Sequence, residues 1–391
     1  MIKLIRNTNH YKKRNGDNMR IKLSCPCLFG LESVLSGEIK RLGGAENITT
    51  TDGRVSFEGD ESLIARANIN LRTAERVQII LAEFEAKSFP ELISYVDEIP
   101  FENYIGKKDA FPVKGWSLNS ALHSVPDCQK TIKMAAVKRL TKAYGVSFLE
   151  ETGAKHQIQF AINKDNVKIM LDTSGAGLHK RGYRKNQSEA PIKETLAAGM
   201  IDLLRVYDDT VFYDPFCGSG TFLIEAAMHA LKIAPNLRRM FAAEKWDQLN
   251  SKIWREARQE AISNIKKGTS FKAYGSDIDR SCTDLTLANA KLAGVEARIS
   301  VRTKPVDKFR LFSERAVIIT NPPYGERLLD ISAAEELYKT LGKVVKPTKD
   351  VKLGVITPHE DFEKFFGEKA DKKRKLYNGM LKCNYYMYNK R

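Results

Sequence analysis

Two stretches of this 391-residue chain combine residue types and spacings that could do chemistry. The first, DDTVFYDPFCGSGTFLIE over residues 208–225, has a β-rich apolar run that ends on Asp214, passes through Gly218 and Gly220, and enters an apolar helical run. Strand, glycine loop and helix predict the first unit of a doubly wound α/β sheet, with a ligand outside the carboxyl end of the strand. The loop lacks the lysine of a P-loop and the third glycine of a dinucleotide fingerprint. It therefore favours a small ligand with an adenosine end and few phosphates, although a purely structural turn is the alternative.

The second stretch, Asn321-Pro322-Pro323-Tyr324, follows a strand predicted over residues 316–320. Two prolines fix φ and remove two backbone donors, which leaves the carbonyl groups near Asn321 and Pro322 free to face a cleft. Together with the Asn321 amide oxygen, these carbonyls could accept both hydrogens of a planar exocyclic amine, while Tyr324 stacks on the same base. The alternative interpretation is a turn chosen only for its rigidity.

The chemistry that these groups suit is methylation of a nucleobase amine. Such an amine is a poor nucleophile because its lone pair is delocalised into the ring, and acceptors in fixed geometry localise that lone pair. The methylsulfonium of S-adenosylmethionine is an electrophile that needs no metal, so catalysis would depend on orientation and on a base held out of its stack. Asp277, at the end of a second predicted strand, could reach the ribose hydroxyls of such a ligand. As a lone residue, Asp277 could instead cap a helix.

Alternating strands and helices are expected to position these groups. Beyond the glycine loop, strands are predicted at 271–279, 299–301, 316–320 and 352–357, and helices at 285–293 and 333–345. A long insertion, residues 236–267, contains Trp246 and Trp254, which are expected to pack in the core rather than to stack on bases. Residues 372–388 predict a β-hairpin with an Asn378-Gly379 turn. Few fold families combine an antiparallel hairpin with a parallel sheet in this way.

Two small α+β units are predicted ahead of this sheet. Residues 1–18 are expected to be a disordered extension, with Met19 as the true start. In the second unit, residues 127–144 predict an amphipathic helix with Asp127 as its N-cap and Gly145 as its C-cap. The polar face of this helix is either a solvated face or a phosphate-contacting face. It carries five basic residues: Lys130, Lys133, Lys138, Arg139 and Lys142.

A Gly-rich polar segment, residues 174–190, is predicted to link the two halves of the chain. It holds the densest mixture of cations with an aromatic ring, which suits RNA because cations hold phosphates and a ring stacks on an unpaired base. The residues of this mixture that are predicted to bind RNA are Lys180, Arg181, Tyr183, Arg184 and Lys185. Pro191 is then expected to start a helix that runs to Leu204.

Composition limits the possible binding partners and the possible cellular compartment of the protein. Lys and Arg number 64 against 48 Asp and Glu, which gives a formal charge of +16 and favours a polyanionic partner. The six cysteines form no C-x-x-C pair and the six histidines do not cluster near them, so neither a metal site nor a disulfide framework is predicted. A reducing cytosol is the expected compartment, and no apolar run approaches the ~20 residues that cross a bilayer.

The motifs DPFCGSGT, GSDID and NPPYGERL, in this order and spacing, resemble those of the class I S-adenosylmethionine-dependent amino-methyltransferases. Three further stretches, GLHKRGYR, PIKETLAA and KRKLYNGML, narrow the resemblance to the THUMP-containing guanine-N2 RNA methyltransferases. The chain is similar to the N-terminal half of RlmL and to single-module relatives in Gram-positive bacteria that are often labelled N6-adenine DNA methylases. The resemblance covers residues 19–391.

The resemblance implies a fold and a division of the chain. The fold class is α/β, a Rossmann-like class I methyltransferase sheet with an antiparallel C-terminal hairpin, preceded by an α+β ferredoxin-like and THUMP module. The implied division is 19–76 ferredoxin-like, 77–172 THUMP, 173–190 linker and 191–391 methyltransferase.

The resemblance also implies roles for individual residues. Asn321, Pro322, Pro323 and Tyr324 would hold the target base, Asp277 the ribose and Ile278 the adenine ring. Further cofactor contacts are implied at Asp214, Phe216, Gly218, Ser219, Gly220 and Thr221, with Lys193 and Glu194 near the methionine end. Relatives usually show an acidic residue after the third strand, where this chain reads VRTKPVDKF, and Asp307 is the substitute.

The implied activity is methylation of a guanine N2 amine in structured RNA, with 23S ribosomal RNA as the preferred substrate. Three alternatives stay open: guanine-N2 methylation of transfer RNA, adenine-N6 methylation of DNA or RNA, and a noncatalytic RNA-binding assembly factor. A noncatalytic factor is expected to have lost residues of the glycine loop or of N-P-P-Y. Both stretches are intact in this chain.

Overall fold

The computed structural model describes residues 20–184, 192–313, 315–324, 331–345 and 350–389. In these ranges the chain forms two seven-stranded sheets, one in each half. Among the described helices, none is long and apolar enough to cross a bilayer.

The N-terminal sheet is covered by helices from both predicted α+β units. Its strands are β1 (Ile21–Pro26), β2 (Glu46–Thr51), β3 (Arg54–Gly59), β4 (Gln78–Glu85), β5 (Val113–Leu118), β6 (Ile158–Asn163) and β7 (Asn166–Asp172). Its helices are α1 (Glu32–Leu42), α2 (Ser62–Asn70), α3 (Phe89–Asp97) and α4 (Val125–Tyr144). The strand order is β2-β3-β1-β4-β7-β6-β5, and every pair is antiparallel except β5 with β6.

The two α+β units share this one sheet instead of forming separate ones. β1 of the first unit pairs with β4 of the second, with Leu23 opposite Ile79 and Ser24 opposite Gln78. The α+β class is confirmed, but the sequence did not predict strand β2. That strand, ENITTT, has no buried residue, so the apolar alternation that marks a half-buried strand is missing.

Helix α4 starts two residues earlier than predicted. It begins at Val125, and a proline in the first turn suits this start because its fixed φ matches the helix and it has no N–H to leave unpaired. Asp127 is therefore inside the helix and not its N-cap, and its carboxylate accepts a hydrogen bond from the Ser124 hydroxyl at 2.5 Å. The predicted C-cap is confirmed, since Gly145 has the left-handed φ of 62°.

The C-terminal sheet has the order β10-β9-β8-β11-β12-β14-β13, and all its pairs are parallel except those of β14. Its strands are β8 (Val211–Asp214), β9 (Lys272–Asp277), β10 (Ile299–Thr303), β11 (Ala316–Thr320), β12 (Val351–Thr357), β13 (Lys372–Asn378) and β14 (Leu381–Tyr388). The helices of this half are α5 (Glu194–Leu203), α6 (Thr221–Ala230), α7 (Lys252–Ser263), α8 (Arg280–Ala293), α9 (Ile331–Val344) and α10 (Phe362–Phe366). The predicted sheet with an antiparallel hairpin is confirmed.

One local prediction in this half is displaced by one residue, and another falls partly outside the described residues. Asn378 pairs with Leu381, so the two-residue turn of the hairpin is Gly379-Met380, one residue later than predicted. Gly379 has φ of 67°, which explains why glycine is needed at the first turn position. Helix α5 begins at Glu194, while its predicted start, Pro191, lies outside the described residues.

The insertion that contains α7 joins the two halves. Trp246 and Trp254 are buried in the same apolar core as the N-terminal sheet, which confirms that they pack rather than face solvent. Trp254 stacks on Phe241 with ring centroids 5.3 Å apart, and the Trp246 indole donates to the Lys155 carbonyl at 3.0 Å. A segment of the C-terminal half therefore completes the core of the N-terminal half.

A buried ionic network forms a second junction between the halves. Glu225 of α6 lies 3.5 Å from Arg181 and accepts a hydrogen bond from the Tyr183 hydroxyl at 3.1 Å. Arg181 in turn donates to the Arg72 carbonyl and, at 2.7 Å, to the Leu178 carbonyl. The prediction that Arg181 and Tyr183 contact RNA from an exposed linker is therefore wrong, because both side chains are buried and tie the linker to both halves.

Glu225→Ala is expected to lower the free energy of unfolding by about 3 kcal/mol or more, because Arg181 would be left buried without its counter-charge. The measurement is urea denaturation followed by fluorescence. Glu260→Ala is the matched control: it removes an exposed ion pair with Arg66 and is expected to cost less than about 1 kcal/mol. Equal losses in the two variants would contradict a structural role for the network.

Candidate active site

The two predicted chemical stretches meet at one edge of the C-terminal sheet. β8 ends at Asp214, β9 at Asp277 and β11 at Thr320, and these three parallel strands are neighbours in the order β9-β8-β11. Because parallel neighbours present their carboxyl ends at the same edge, the glycine loop after β8 lies between Asp277 and Asn321.

The glycine loop has a left-handed backbone at two positions, a conformation that favours glycine. Gly218 and Gly220 have φ of 50° and 81°. A Cβ on Gly220 would lie 2.6 Å from the Thr286 methyl carbon, whereas the space in front of Gly218 is empty to 4 Å. The loop is thus closed against the protein at Gly220 and open to a ligand at Gly218.

Two residues of α8 that the sequence reasoning missed hold this loop. The Thr286 hydroxyl donates to the Gly218 carbonyl at 2.7 Å, and the Asn289 amide donates to the Ser219 carbonyl at 3.0 Å. Both side chains are buried. Their signal in the sequence was a pair of polar residues three positions apart on the inward side of a helix.

Asp277 contacts the loop directly. One carboxylate oxygen accepts from the Gly218 amide at 2.9 Å, and the other accepts from the Asp279 amide at 3.0 Å. The helix-cap role belongs to Asp279, which accepts from the Ser281 amide at 2.7 Å and starts α8. Ile278, beside Asp277, is 75% exposed. A carboxylate and an exposed apolar side chain beside an open loop fit the ribose hydroxyls and planar ring of an adenosine.

Asp214 is buried and joins the two central strands. Its carboxylate accepts from the Thr320 hydroxyl at 2.7 Å and from the Phe216 amide at 3.1 Å. Burial raises the pKa of Asp214 to about 7, although both hydrogen bonds favour the charged form. This carboxylate therefore fixes the loop and the Asn321 strand relative to each other.

The segment Asn321-Pro322-Pro323-Tyr324 leaves β11 at the same edge. Pro322 is buried, and the other three residues are partly exposed. The hydroxyl of Tyr338 lies 3.5 Å from the Pro323 carbonyl and 3.0 Å from the Thr357 hydroxyl, so α9 and β12 support the segment from behind.

The remaining predicted cofactor residues lie in different surroundings. Glu194 lies 3.7 Å from Arg184, and Arg184 also donates to the Thr221 hydroxyl at the start of α6. Lys193 instead lies 3.9 Å from Glu75 of the N-terminal half. Asp307 is exposed in a short turn after β10, and within the described residues its carboxylate makes no hydrogen bond.

The residues predicted to bind RNA fall into three groups. Lys133, Lys138 and Arg139 pair with acidic neighbours on other elements, at 2.5 Å from Glu151, 3.0 Å from Asp97 and 2.9 Å from Glu102. Lys130, Lys142 and Lys180 are exposed. Arg184 is largely buried against Glu194, which corrects its prediction as an exposed linker cation. Lys185 lies outside the described residues.

Metal ligands do not gather in the described part of the chain, where no group of three or more His, Cys, Asp or Glu side chains could hold an ion. The six cysteines are free, and five of them are buried.

Comparison with protein families finds three matches in series. Residues 22–78 match an RlmL ferredoxin-like domain, residues 86–172 a THUMP domain, and residues 181–387 an RMKL-like methyltransferase domain.

Individual relatives cover nearly the whole chain. YpsC of Bacillus subtilis, named as a candidate RNA methyltransferase, is 42% identical over 92% of this chain and 94% of its own length. The ribosomal RNA large subunit methyltransferase K/L of Shewanella amazonensis is 32% identical over 92% of this chain, which spans only 52% of that relative. The crystal structure of SMU.472, a candidate methyltransferase in complex with S-adenosylhomocysteine (SAH), superposes with a TM-score of 0.89 at 38% identity, covering 95% of this chain and 98% of that one.

Gly220→Ala is expected to weaken SAH binding at least about tenfold, because the new Cβ meets Thr286 and the residue must hold a left-handed φ. Isothermal titration calorimetry measures the affinity. Gly268→Ala is the matched control, since a Cβ at that exposed position meets nothing within 4 Å. Unchanged binding in Gly220→Ala would show that the loop does not hold this ligand.

Asp214 is expected to make stability fall between about pH 4 and pH 7. Its pKa is raised from 3.8 to about 7 by burial, so its contribution is fully present below the unfolded value and is lost as pH rises through the folded value. Urea denaturation of the ligand-free protein across this range should show a loss of at most about 1.4 kcal/mol per pH unit from this group. Asp214→Asn should remove that component, and the exposed change Asp52→Asn should not. Identical pH profiles for wild type and Asp214→Asn would refute the assignment.

Proposed function

Because the chain belongs to the RMKL-like methyltransferases with a ferredoxin-like and a THUMP domain, we propose that it methylates the N2 amine of a guanine in structured RNA. S-adenosylmethionine is the methyl donor, and large-subunit ribosomal RNA is the preferred substrate. The relative named for ribosomal RNA supports this choice of substrate, and the net charge of +16 supports a nucleic acid as the partner.

One observation carries the proposal: the open glycine loop with Asp277 and the amine-accepting Asn321 lie on adjacent strand ends, fixed to each other by the Thr320 to Asp214 hydrogen bond. A cofactor over Gly218 would therefore lie beside a base held at Asn321. A noncatalytic RNA-binding protein would not need this alignment.

The residues of the chain would act by binding and orientation. Asp277 would accept hydrogen bonds from the ribose hydroxyls, Ile278 would cover the adenine ring, and Gly218 would allow close approach of the cofactor to the backbone. When bound, S-adenosylmethionine would supply an electrophilic methyl group: the C–S bond would break as the C–N bond forms, S-adenosylhomocysteine would leave, and the methylated amine would release one proton to water. The Asn321 amide oxygen and the Pro322 carbonyl accept the two hydrogens of the target amine, which localises its lone pair, while Tyr324 stacks on the base. The base must leave its helical stack to reach this position.

RNA binding is assigned to the N-terminal half and to Lys180, the exposed lysine of the linker. Lys130, Lys142 and Lys180 are exposed and suit phosphate contacts. Lys133, Lys138 and Arg139 already face acidic side chains and would contribute less. N-P-P-Y does not distinguish guanine from adenine, since the same acceptors fit both amines, and the choice of guanine rests on the resemblance of the motifs to the THUMP-containing guanine-N2 RNA methyltransferases.

Loss of the gene is expected to remove N2-methylguanosine from large-subunit ribosomal RNA, as measured by nucleoside mass spectrometry. Wild type and Asn264→Ala, an exposed asparagine in α7's C-terminal cap, should restore the signal, and Asn321→Ala should not. With purified proteins, Asn321→Ala should lower turnover by about two orders of magnitude or more and leave RNA binding unchanged, because it removes orientation and not affinity.

Other outcomes of this experiment identify the alternatives. A loss confined to transfer RNA would change the substrate and keep the reaction. A fall in N6-methyladenosine would change the base. No change in either nucleoside would favour the noncatalytic RNA-binding factor and refute the catalytic proposal.

A further inference from the structure

A groove of about 570 Å³ lies where α1 of the N-terminal half meets β13 of the C-terminal hairpin. Apart from glycines, its lining residues are Glu32, Ser33, Ser36, Lys40, Thr50 and Arg374. Three hydroxyl groups and two cations in one concave surface are the groups that bind phosphate oxygens.

The acidic residue of the groove is already engaged. The Glu32 carboxylate accepts hydrogen bonds from the amides of Gly30 and Gly53, each at 2.9 Å. Lys40, by contrast, makes no ion pair within the described part of the chain. Cationic groups are therefore in excess in the groove.

The wall of the groove that joins the two halves is closely packed. The Gly30 carbonyl accepts from the Arg374 guanidinium at 2.9 Å, and Gly30 has φ of 88°. A Cβ on Gly30 would lie 2.7 Å from the Lys375 carbonyl oxygen. The loop before α1 thus lies along the free edge of β13, and its position is defined by both halves.

An aromatic and cationic rim borders the groove. Phe29, next to Gly30, is 57% exposed, and its ring centroid lies 6.3 Å from that of Tyr377. The Lys375 ammonium lies 5.8 Å from the Tyr377 ring. Arg374 and Lys375 point to opposite faces of β13, so the groove and the rim flank the free edge of that strand.

The hairpin tip lies at the same edge of the sheet as the candidate active site. Thr357, the last residue of β12, pairs with Asn384, and Asn384 also pairs with Lys375. Tyr377 and the Gly379-Met380 turn therefore extend beyond the carboxyl ends of the parallel strands. β13 is three strands from β11, a lateral distance of about 14 Å.

We propose that the groove and its rim bind a single-stranded segment of the substrate RNA that flanks the target nucleotide. The inference rests on the proposed RNA substrate and deepens it. Lys40 and Arg374 hold a phosphate in the groove, the strand crosses the free edge of β13, and an unpaired base contacts Phe29 or Tyr377. Lysines on an edge strand also discourage pairing with other sheets, but that role explains neither Lys40 on α1 nor the exposed ring of Phe29.

The test is the salt dependence of RNA binding by the full chain. The probe is a fluorescein-labelled single-stranded 12-nucleotide RNA copied from the segment beside the methylated guanine, read by fluorescence anisotropy. Lys40→Ala/Lys375→Ala is expected to weaken binding at least about tenfold at low salt. It should also reduce the slope of log affinity against log salt by at least about 0.7, since each phosphate contact on a single strand contributes about 0.7 and the contact made by Lys40 is lost.

Controls separate this inference from the proposed function. Lys291→Ala, an exposed lysine on α8, should leave affinity and slope unchanged. SAH affinity should be equal in all variants, which shows that the fold is intact. If wild type methylates RNA and the double variant keeps its affinity and slope, the groove inference is overturned while the function stands. If wild type methylates no RNA, the function itself fails. Weaker binding with an unchanged slope would also overturn the inference, because no phosphate contact would have been lost.

Discussion

The hydrogen bond from Thr320 to the buried Asp214 is the contact on which the candidate active site depends. The two residues are 106 positions apart in the chain, yet they end neighbouring parallel strands. Asp214 is shielded from water and accepts also from the Phe216 amide, so the glycine loop and the base-holding segment share one rigid reference point. The chemistry proposed here uses orientation in place of a strong acid or base, which makes that rigidity the main contribution of the protein.

The contacts between the N-terminal and C-terminal halves add to this rigidity. The network around Glu225 ties α6 to the linker and to Arg72, while Arg184 connects the linker with Thr221, the first residue of that same helix. The α7 insertion and the loop at Gly30 add apolar and close-packed contacts elsewhere. The THUMP-containing half and the methyltransferase half thus keep a fixed spacing.

Sequence reasoning was strongest where local pattern and chemistry coincide. The glycine loop, the strand that ends on Asp277, and the hairpin follow from periodicity and turn residues, while the family followed from the resemblance of the quoted motifs. It failed where partners are distant in the chain: charge alone gave no sign that Arg181 is buried against Glu225, or that Lys138 and Arg139 face acids on other elements. Thr286 and Asn289 were missed for the same reason, and the domain boundaries and residue roles remain predictions.

The shared N-terminal sheet has a consequence for how the chain can be divided. β4, with the sequence QIILAEFE, has its first residues covered by β1 through the Leu23 to Ile79 pairing. Cutting the chain between the ferredoxin-like and THUMP segments would leave that strand with an open, largely apolar backbone edge, which is the kind of surface that recruits other strands and aggregates. The two family matches in this region therefore share one continuous sheet, and either segment expressed alone would expose a strand edge that the other covers.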